Sequence, residues 1–148
     1  MRGTSARLAA AIGMGMLAAA SLGADADFTS SVWDGVYTDV QAVRGTASYT
    51  AHCAVCHGAS LGGIGEAPAL TGVRFVSDFD GLSVGELFDR IRTTMPLNNA
   101  GGLSRDQYAD ILAFVLKSNG FPAGQTELYR RREYLDTIAF ESKRRQPP

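Results

Sequence analysis

Both cysteines and both histidines of this chain lie in one short stretch, AHCAVCHG, at positions 51–58. Two residues separate Cys53 from Cys56, and His57 follows the second cysteine directly. Thiols and imidazoles at this spacing can bind a metal, form or exchange disulfides, or attach a haem covalently. Chemistry is therefore expected in this stretch.

Four interpretations of the motif compete. A four-ligand zinc site usually draws a second ligand pair from a separate segment, and the sequence has no such pair. A thioredoxin-like redox pair belongs in a βαβ setting, which the pattern of this chain does not suggest. A disulfide that closes so short a loop would stabilise the protein little. Covalent haem attachment is favoured because it also uses His57: the two thiols form thioethers, and the histidine ligates iron.

The other face of the iron then needs a ligand or an opening. Outside residues 1–26 the only thioether is that of Met95, in TTMPLNN. The remaining histidine, His52, directly precedes the motif. We therefore predict Met95 as the sixth ligand; the alternative is a methionine that fills a core gap. An open distal side would instead suit a peroxidase or a ligand sensor. The ring N–H of His57 also needs an acceptor, and a loop stiffened by Pro68 is a candidate to supply it.

Residues 1–26 have the parts of a secretory signal. Arg2 and Arg7 precede the apolar run LAAAIGMGMLAAASLG, and the A-x-A sequence ADA follows. Because the run is short for a membrane span, we expect cleavage after Ala26, export to the periplasm and no stable membrane insertion afterwards. An uncleaved anchor is the alternative. The net charge of −1 does not suggest a nucleic-acid partner.

Three segments combine a helix-start signal with helical periodicity. Capping boxes at 38–41, 83–86 and 104–107 predict where these helices begin. Their apolar stripes, the pattern of a core-facing side, are Val40, Val43, Ala47 and Ala51; Val84, Leu87, Phe88 and Ile91; and Tyr108, Ile111, Leu112, Val115 and Leu116. Pro96 ends the second helix and Asn119–Gly120 the third.

The segments between these helices are long and rich in glycine, as in GASLGGIGEAPALTG, and no strand pattern competes with them. Short helices joined by long loops leave a small core, so something other than side chains is expected to fill its centre. These features predict an all-α domain.

Four stretches resemble class I monohaem c-type cytochromes: RGTASYTAHCAVCHG, APALTG, LFDRIRTTMP and LSRDQYADILAFVLKSNGFP. The resemblance runs from about position 32 to 124. It implies a small cytochrome c fold of three main helices wrapped around one covalently attached haem c. It also implies that Cys53 and Cys56 form the thioethers, that His57 and Met95 are the axial ligands, and that the Pro68 carbonyl accepts the His57 ring proton. The first and last helices would cross closely, with Gly45 against Phe114 or Tyr108.

The stretches SVWDGVYTDVQAVRG and NGFPAGQTEL further resemble cytochromes that accept electrons from PQQ-dependent dehydrogenases. This implies an electron carrier, not itself an enzyme, between a periplasmic dehydrogenase and a terminal oxidase or another cytochrome of the respiratory chain. A haem subunit of the dehydrogenase is the alternative. We expect a cytochrome domain at 27–125 and a basic extension at 126–148, which could hold such a subunit in its complex. An apolar docking patch is predicted from Ala54, Val55, Leu61, Leu97 and Asn98.

Overall fold

The computed structural model describes residues 27–145, so the predicted signal at 1–26 lies outside the described residues. Helices form most of the regular structure, and one pair of two-residue strands joins the two ends of the described chain. In chain order the elements are β1 (Ser30–Ser31), α1 (Asp39–His52), α2 (Ala54–His57), α3 (Val73–Phe79), α4 (Val84–Thr94), α5 (Arg105–Ser118), α6 (Arg132–Leu135) and β2 (Ile138–Ala139). The all-α prediction is confirmed.

Helices α1 and α5 cross at close range where α1 has a glycine. A Cβ atom on Gly45 would lie 1.8 Å from the carbonyl oxygen of Asp110 and 2.9 Å from the Cβ of Phe114. Only a residue without a side chain allows this approach, which explains a glycine in mid-helix. The expected contact with Phe114 is confirmed. The ring of Phe114 also packs on Tyr49, with 5.2 Å between the ring centroids.

The predicted apolar stripe of α1 is wrong, because its members are all exposed: Val40, Val43, Ala47 and Ala51. The buried face consists instead of Gln41, Ala42, Gly45 and Tyr49. Gln41 also departs from the predicted capping box. Its backbone N–H donates to Thr38 Oγ1, as expected, but its side chain does not return to Thr38. The buried amide instead donates to the carbonyl of Leu128 at 3.0 Å and accepts from the Leu128 N–H at 2.6 Å.

The predictions for α4 and α5 are confirmed. Both predicted capping boxes form, at Ser83 and at Ser104, and each satisfies backbone groups that a helix end leaves unpaired. The predicted stripe of α5 is buried throughout, and that of α4 is buried except for Ile91, which packs partly exposed against the core. Helix α4 ends at Thr94, and Met95 is its C-cap.

The C-terminal segment folds back onto the helices. β2 pairs in parallel with β1, with Ser30 opposite Ile138. Four apolar side chains of the C-terminal segment belong to the main core: Leu128, Leu135, Ile138 and Phe140. Phe140 is fully buried among aromatic rings, and its carbonyl and N–H bond to Gly81 and Leu82. The boundary between domain and extension at 125 stays a prediction.

The returning segment also holds the start of α4. Ser83 Oγ donates to Asp136 Oδ1 at 2.9 Å, and Arg132 pairs with both Asp89 and Asp136. Burial raises the pKa of Asp89, but hydrogen bonds from Arg132 and Arg92 outweigh it, so the pKa lies below the ordinary value of 3.8. This carboxylate therefore stabilises the fold in its charged form.

Candidate functional site

Helix α1 leads directly into the cysteine motif. The Cys53 N–H donates to the Tyr49 carbonyl at 2.8 Å, and the single turn α2 then carries Cys56 and His57. Both cysteines have free thiols; Cys53 is half-buried and Cys56 is exposed. Burial raises the pKa of the Cys53 thiol, and the nearby Cys56 adds to the rise. The turn therefore brings two thiols and an imidazole together over a few residues.

The ring of His57 is buried and held by one hydrogen bond. Its Nδ1 lies 2.9 Å from the carbonyl oxygen of Pro68, and the residue is 7% exposed. A carbonyl oxygen can only accept a hydrogen bond, so Nδ1 carries the proton and the lone pair of the neutral ring is on Nε2. Nε2 is thereby the nitrogen available to a metal, which is the usual arrangement of a histidine ligand.

A close turn at Gly63 brings Pro68 to this position. Gly63 has φ +78°, and a Cβ there would lie 2.5 Å from the Ala67 carbonyl oxygen and 2.9 Å from the Pro68 carbonyl carbon. The Gly63 N–H also donates to the His57 carbonyl at 2.9 Å. A glycine is required here for two reasons: the backbone is left-handed, and the main chain of residues 67–69 passes too close for a side chain.

Helix α5 anchors the far end of the same loop through Asn119. Its Nδ2 donates to the Leu70 carbonyl at 2.9 Å, and its Oδ1 accepts from the Gly72 N–H at 3.1 Å. The sequence identified Asn119 only as a helix stop. In the fold its side chain fixes the loop that carries Pro68.

Tyr49 supports the motif from α1. Its hydroxyl donates to the Gly58 carbonyl at 2.7 Å, directly after His57. Burial of the ring raises the pKa of Tyr49 to about 12, with a smaller contribution from Cys53. The hydroxyl therefore stays protonated and keeps donating at neutral pH.

Met95 lies half-buried at the end of α4, on a different element from the motif. Its N–H donates to the Ile91 carbonyl at 2.9 Å, and its carbonyl accepts from the Tyr108 hydroxyl at 2.7 Å. The Met95–Pro96 peptide bond is cis. The motif, Met95 and the Pro68 loop are thus each bonded to α1 or α5.

The donor set fits a covalently held haem. One free thiol caps the turn α2 and the second lies within it, and the adjacent imidazole presents Nε2 because Nδ1 is already occupied. Within residues 27–145, no group of three or more His, Cys, Asp and Glu residues is arranged to hold a metal ion. Across the same residues no helix has the length and apolar character needed to cross a membrane.

Sequence reasoning missed three residues that build the site: Tyr49, Gly63 and Asn119. Only Gly63 left a signal, since it belongs to a glycine pair between the motif and Pro68. The other two act through partners that the fold brings together. Cys53, Cys56 and His57 adjoin in the structure, and Pro68 contacts His57. Their roles toward haem, and that of Met95, stay predictions.

Comparison with known proteins identifies the family. The family model described as cytochrome C oxidase, cbb3-type, subunit III, matches residues 40–115. Comparison with curated proteins gives no significant match. Among solved structures, a chain of the sulfane dehydrogenase SoxCD from Paracoccus pantotrophus is 24% identical, with a TM-score of 0.48; the match covers 72% of this chain and 61% of that chain. The family match covers the motif, all of α4 and most of α1 and α5, and the chain therefore belongs to this family of c-type cytochrome domains.

Proposed function

We propose that this protein is an exported, periplasmic electron carrier with one covalently bound haem c and with His57 and Met95 as axial ligands. One observation carries the proposal: the buried ring of His57 bonds through Nδ1 to the Pro68 carbonyl, in the turn that bears both free thiols. This arrangement leaves Nε2 for iron. It also accounts for both cysteines, which a lone structural histidine would not.

Cys53 and Cys56 would hold the haem through thioethers, and His57 and Met95 would bind its iron. A haem with a histidine and a methionine ligand supplies one-electron transfer at a raised reduction potential. The protein's own part is orientation. The Pro68 carbonyl fixes the plane and tautomer of the His57 ring, and the bonds of Gly63 and Asn119 keep that carbonyl in place.

Exposed side chains next to the motif and next to Met95 would receive the redox partners. Val55, between the two cysteines, is 81% exposed, and Leu97, two residues after Met95, is 85% exposed. Asn98 is also exposed, whereas Ala54 is half-buried. The prediction that Leu61 belongs to this surface is wrong, because Leu61 is only 3% exposed and packs in the core. Small apolar patches of this kind suit brief electron-transfer encounters.

The donor we propose is a periplasmic dehydrogenase, PQQ-dependent in the first instance, and the acceptor is a terminal oxidase or another cytochrome. Support for this choice is the likeness of SVWDGVYTDVQAVRG and NGFPAGQTEL to cytochromes of such systems. The protein itself would catalyse no reaction on a substrate.

The test is an optical spectrum of protein exported from a host that carries cytochrome c maturation machinery. We expect haem that survives denaturation, a low-spin spectrum and the methionine-to-ferric-iron charge-transfer band. Met95→Ala should abolish that band and lower the reduction potential, because methionine ligation raises it. Leu97→Ala, an exposed change in the same segment, is the matched control and should leave both unchanged.

The other outcomes separate the alternatives. A high-spin spectrum with covalent haem would contradict ligation by Met95 and favour a peroxidase or a ligand sensor. An unchanged band in Met95→Ala would refute the assignment equally. Protein without haem would return the motif to the disulfide and zinc interpretations.

A second candidate, a haem subunit of a dehydrogenase complex, is favoured by an exposed aromatic pair in the C-terminal segment. Tyr129 and Tyr134 stack with 4.8 Å between ring centroids and are 52% and 51% exposed. The exposed Arg130 and Arg131 adjoin them, beside a groove of about 770 Å³. Tyrosine and arginine are enriched at the energetic centres of protein interfaces.

The test is size-exclusion chromatography of a periplasmic extract from the native host. A subunit would elute with the dehydrogenase activity, and Tyr129→Ala with Tyr134→Ala would release it. Val73→Ala, a change of a side chain that is 86% exposed on α3, is the control. Elution of wild-type haem at the size of the free chain would contradict this candidate and leave the carrier.

A further inference from the structure

Tyr108 links helix α5 to the segment that carries Met95. Its ring is 1% exposed, and its hydroxyl donates to the Met95 carbonyl at 2.7 Å. The same hydroxyl lies 3.5 Å from the Leu103 N–H, at the far end of the segment. One buried side chain therefore contacts both ends of the connection between α4 and α5.

Tyr108 is itself firmly placed. It lies in the first turn of α5, which begins with the capping box of Ser104 and Gln107. Its ring packs in the main core beside Ile111 and Leu112, which are buried on the same face of the helix. A side chain fixed in this way can hold a partner without moving toward it.

The hydrogen bond acts on Met95 where the helix no longer does. The Met95 N–H closes the last turn of α4, but its carbonyl lies beyond the helix and has no partner in that ladder. The Tyr108 hydroxyl supplies the missing donor. Both backbone groups of Met95 are therefore bonded, one to α4 and one to α5. These two bonds fix the position of the Met95 Cα, from which the side chain extends.

We infer that Tyr108 is a positioning residue that keeps the Met95 thioether on the iron by holding the Met95 backbone. The inference rests on the proposed function, because it requires Met95 as a ligand. If Met95 were displaced from the iron, its segment would have to move, and the Tyr108 bond to the Met95 carbonyl would be lost. The free energy of that bond would therefore stabilise the methionine-ligated state and oppose displacement of Met95 by an external ligand.

Imidazole binding to the ferric protein tests this, because imidazole must displace methionine. We expect Tyr108→Phe to bind imidazole about fivefold more tightly than wild type, the fold-change that a net hydrogen bond of about 1 kcal/mol gives. The reduction potential should fall as the methionine-off form becomes more populated. A purely structural role would lower stability without changing either quantity.

Tyr37→Phe is the matched control. Tyr37 is also 1% exposed, and its hydroxyl donates to a main-chain carbonyl, that of Phe121, at 2.6 Å. The variant thus loses the same kind of bond away from the Met95 segment. It should lose comparable stability in urea while its imidazole affinity stays within about twofold of wild type.

If wild-type protein shows the methionine band, equal imidazole affinity in Tyr108→Phe and Tyr37→Phe would overturn the inference. Absence of that band in wild type would instead refute the proposed function. If Tyr108→Phe does not fold, the hydroxyl proton of Tyr108 in wild type decides. Its NMR resonance should disappear or shift when imidazole binds, because the bond to the Met95 carbonyl is lost; a resonance that imidazole leaves unchanged would overturn the inference.

Discussion

Replacing Gly63 by alanine tests how the fold orients His57. The new Cβ would lie 2.5 Å from the Ala67 carbonyl oxygen, and contacts below about 3.0 Å do not persist, so the backbone must move by about 0.5 Å. The atoms in its way are main-chain atoms of the segment that contains Pro68, and they cannot rotate aside. The 2.9 Å hydrogen bond from His57 would lengthen accordingly.

Three contributions set the expected loss of stability. An alanine in the left-handed region costs about 1–2 kcal/mol. The reduced entropy of the unfolded chain returns about 0.4–1 kcal/mol. A weakened hydrogen bond at the buried His57 ring costs about 1–3 kcal/mol. We therefore expect Gly63→Ala to lower the free energy of unfolding by about 2–4 kcal/mol.

Gly65→Ala is the matched control, because Gly65 also has a positive φ, +58°, but a Cβ there meets nothing within 4 Å. It should lose only about 1 kcal/mol. Urea unfolding of the haem-loaded proteins, followed by far-UV circular dichroism, measures both changes. The NMR resonance of the His57 Nδ1 proton should shift in Gly63→Ala alone. Equal loss in the two variants would refute the view that Gly63 supports the His57 bond.

Three further predictions concern the scaffold. Gly45→Ala would place a Cβ 1.8 Å from the Asp110 carbonyl oxygen, so we expect a loss of about 3 kcal/mol or more in urea unfolding; a loss below about 1 kcal/mol would contradict the close crossing. The pKa of Asp89 lies below 3.8, so the stabilisation by its carboxylate is present above about pH 4 and is lost as the pH falls through the folded-state pKa. Asp89→Asn should therefore be less stable than wild type at pH 7, and the difference in stability should shrink toward pH 3. A pH-independent difference would exclude ionisation as the cause. Deletion of residues 126–148 removes Phe140, which is 0% exposed, so the product should lack a cooperative thermal transition; a sharp transition near that of wild type would contradict the part this segment has in the core.

The sequence by itself determined the features that depend on near neighbours. The start of α4 and of α5 could be predicted because a capping residue bonds to a backbone group three positions away. The motif at Cys53, Cys56 and His57 could be interpreted for the same reason, since its chemistry depends on spacing within one turn. The buried faces of α4 and α5 followed from periodicity because each helix packs most of its apolar side chains inward.

Only the tertiary structure decided which side of α1 is buried. The stripe that begins at Val40 is the more apolar side, yet the helix buries Gln41 and Gly45. Gly45 allows the closest approach to α5, and the amide of Gln41 satisfies both backbone groups of Leu128, 87 residues further along the chain. The contacts of α5 with the Met95 and Pro68 segments likewise join residues far apart in sequence. Such choices depend on which distant backbone groups need a partner, and local patterns of hydrophobicity do not contain that information.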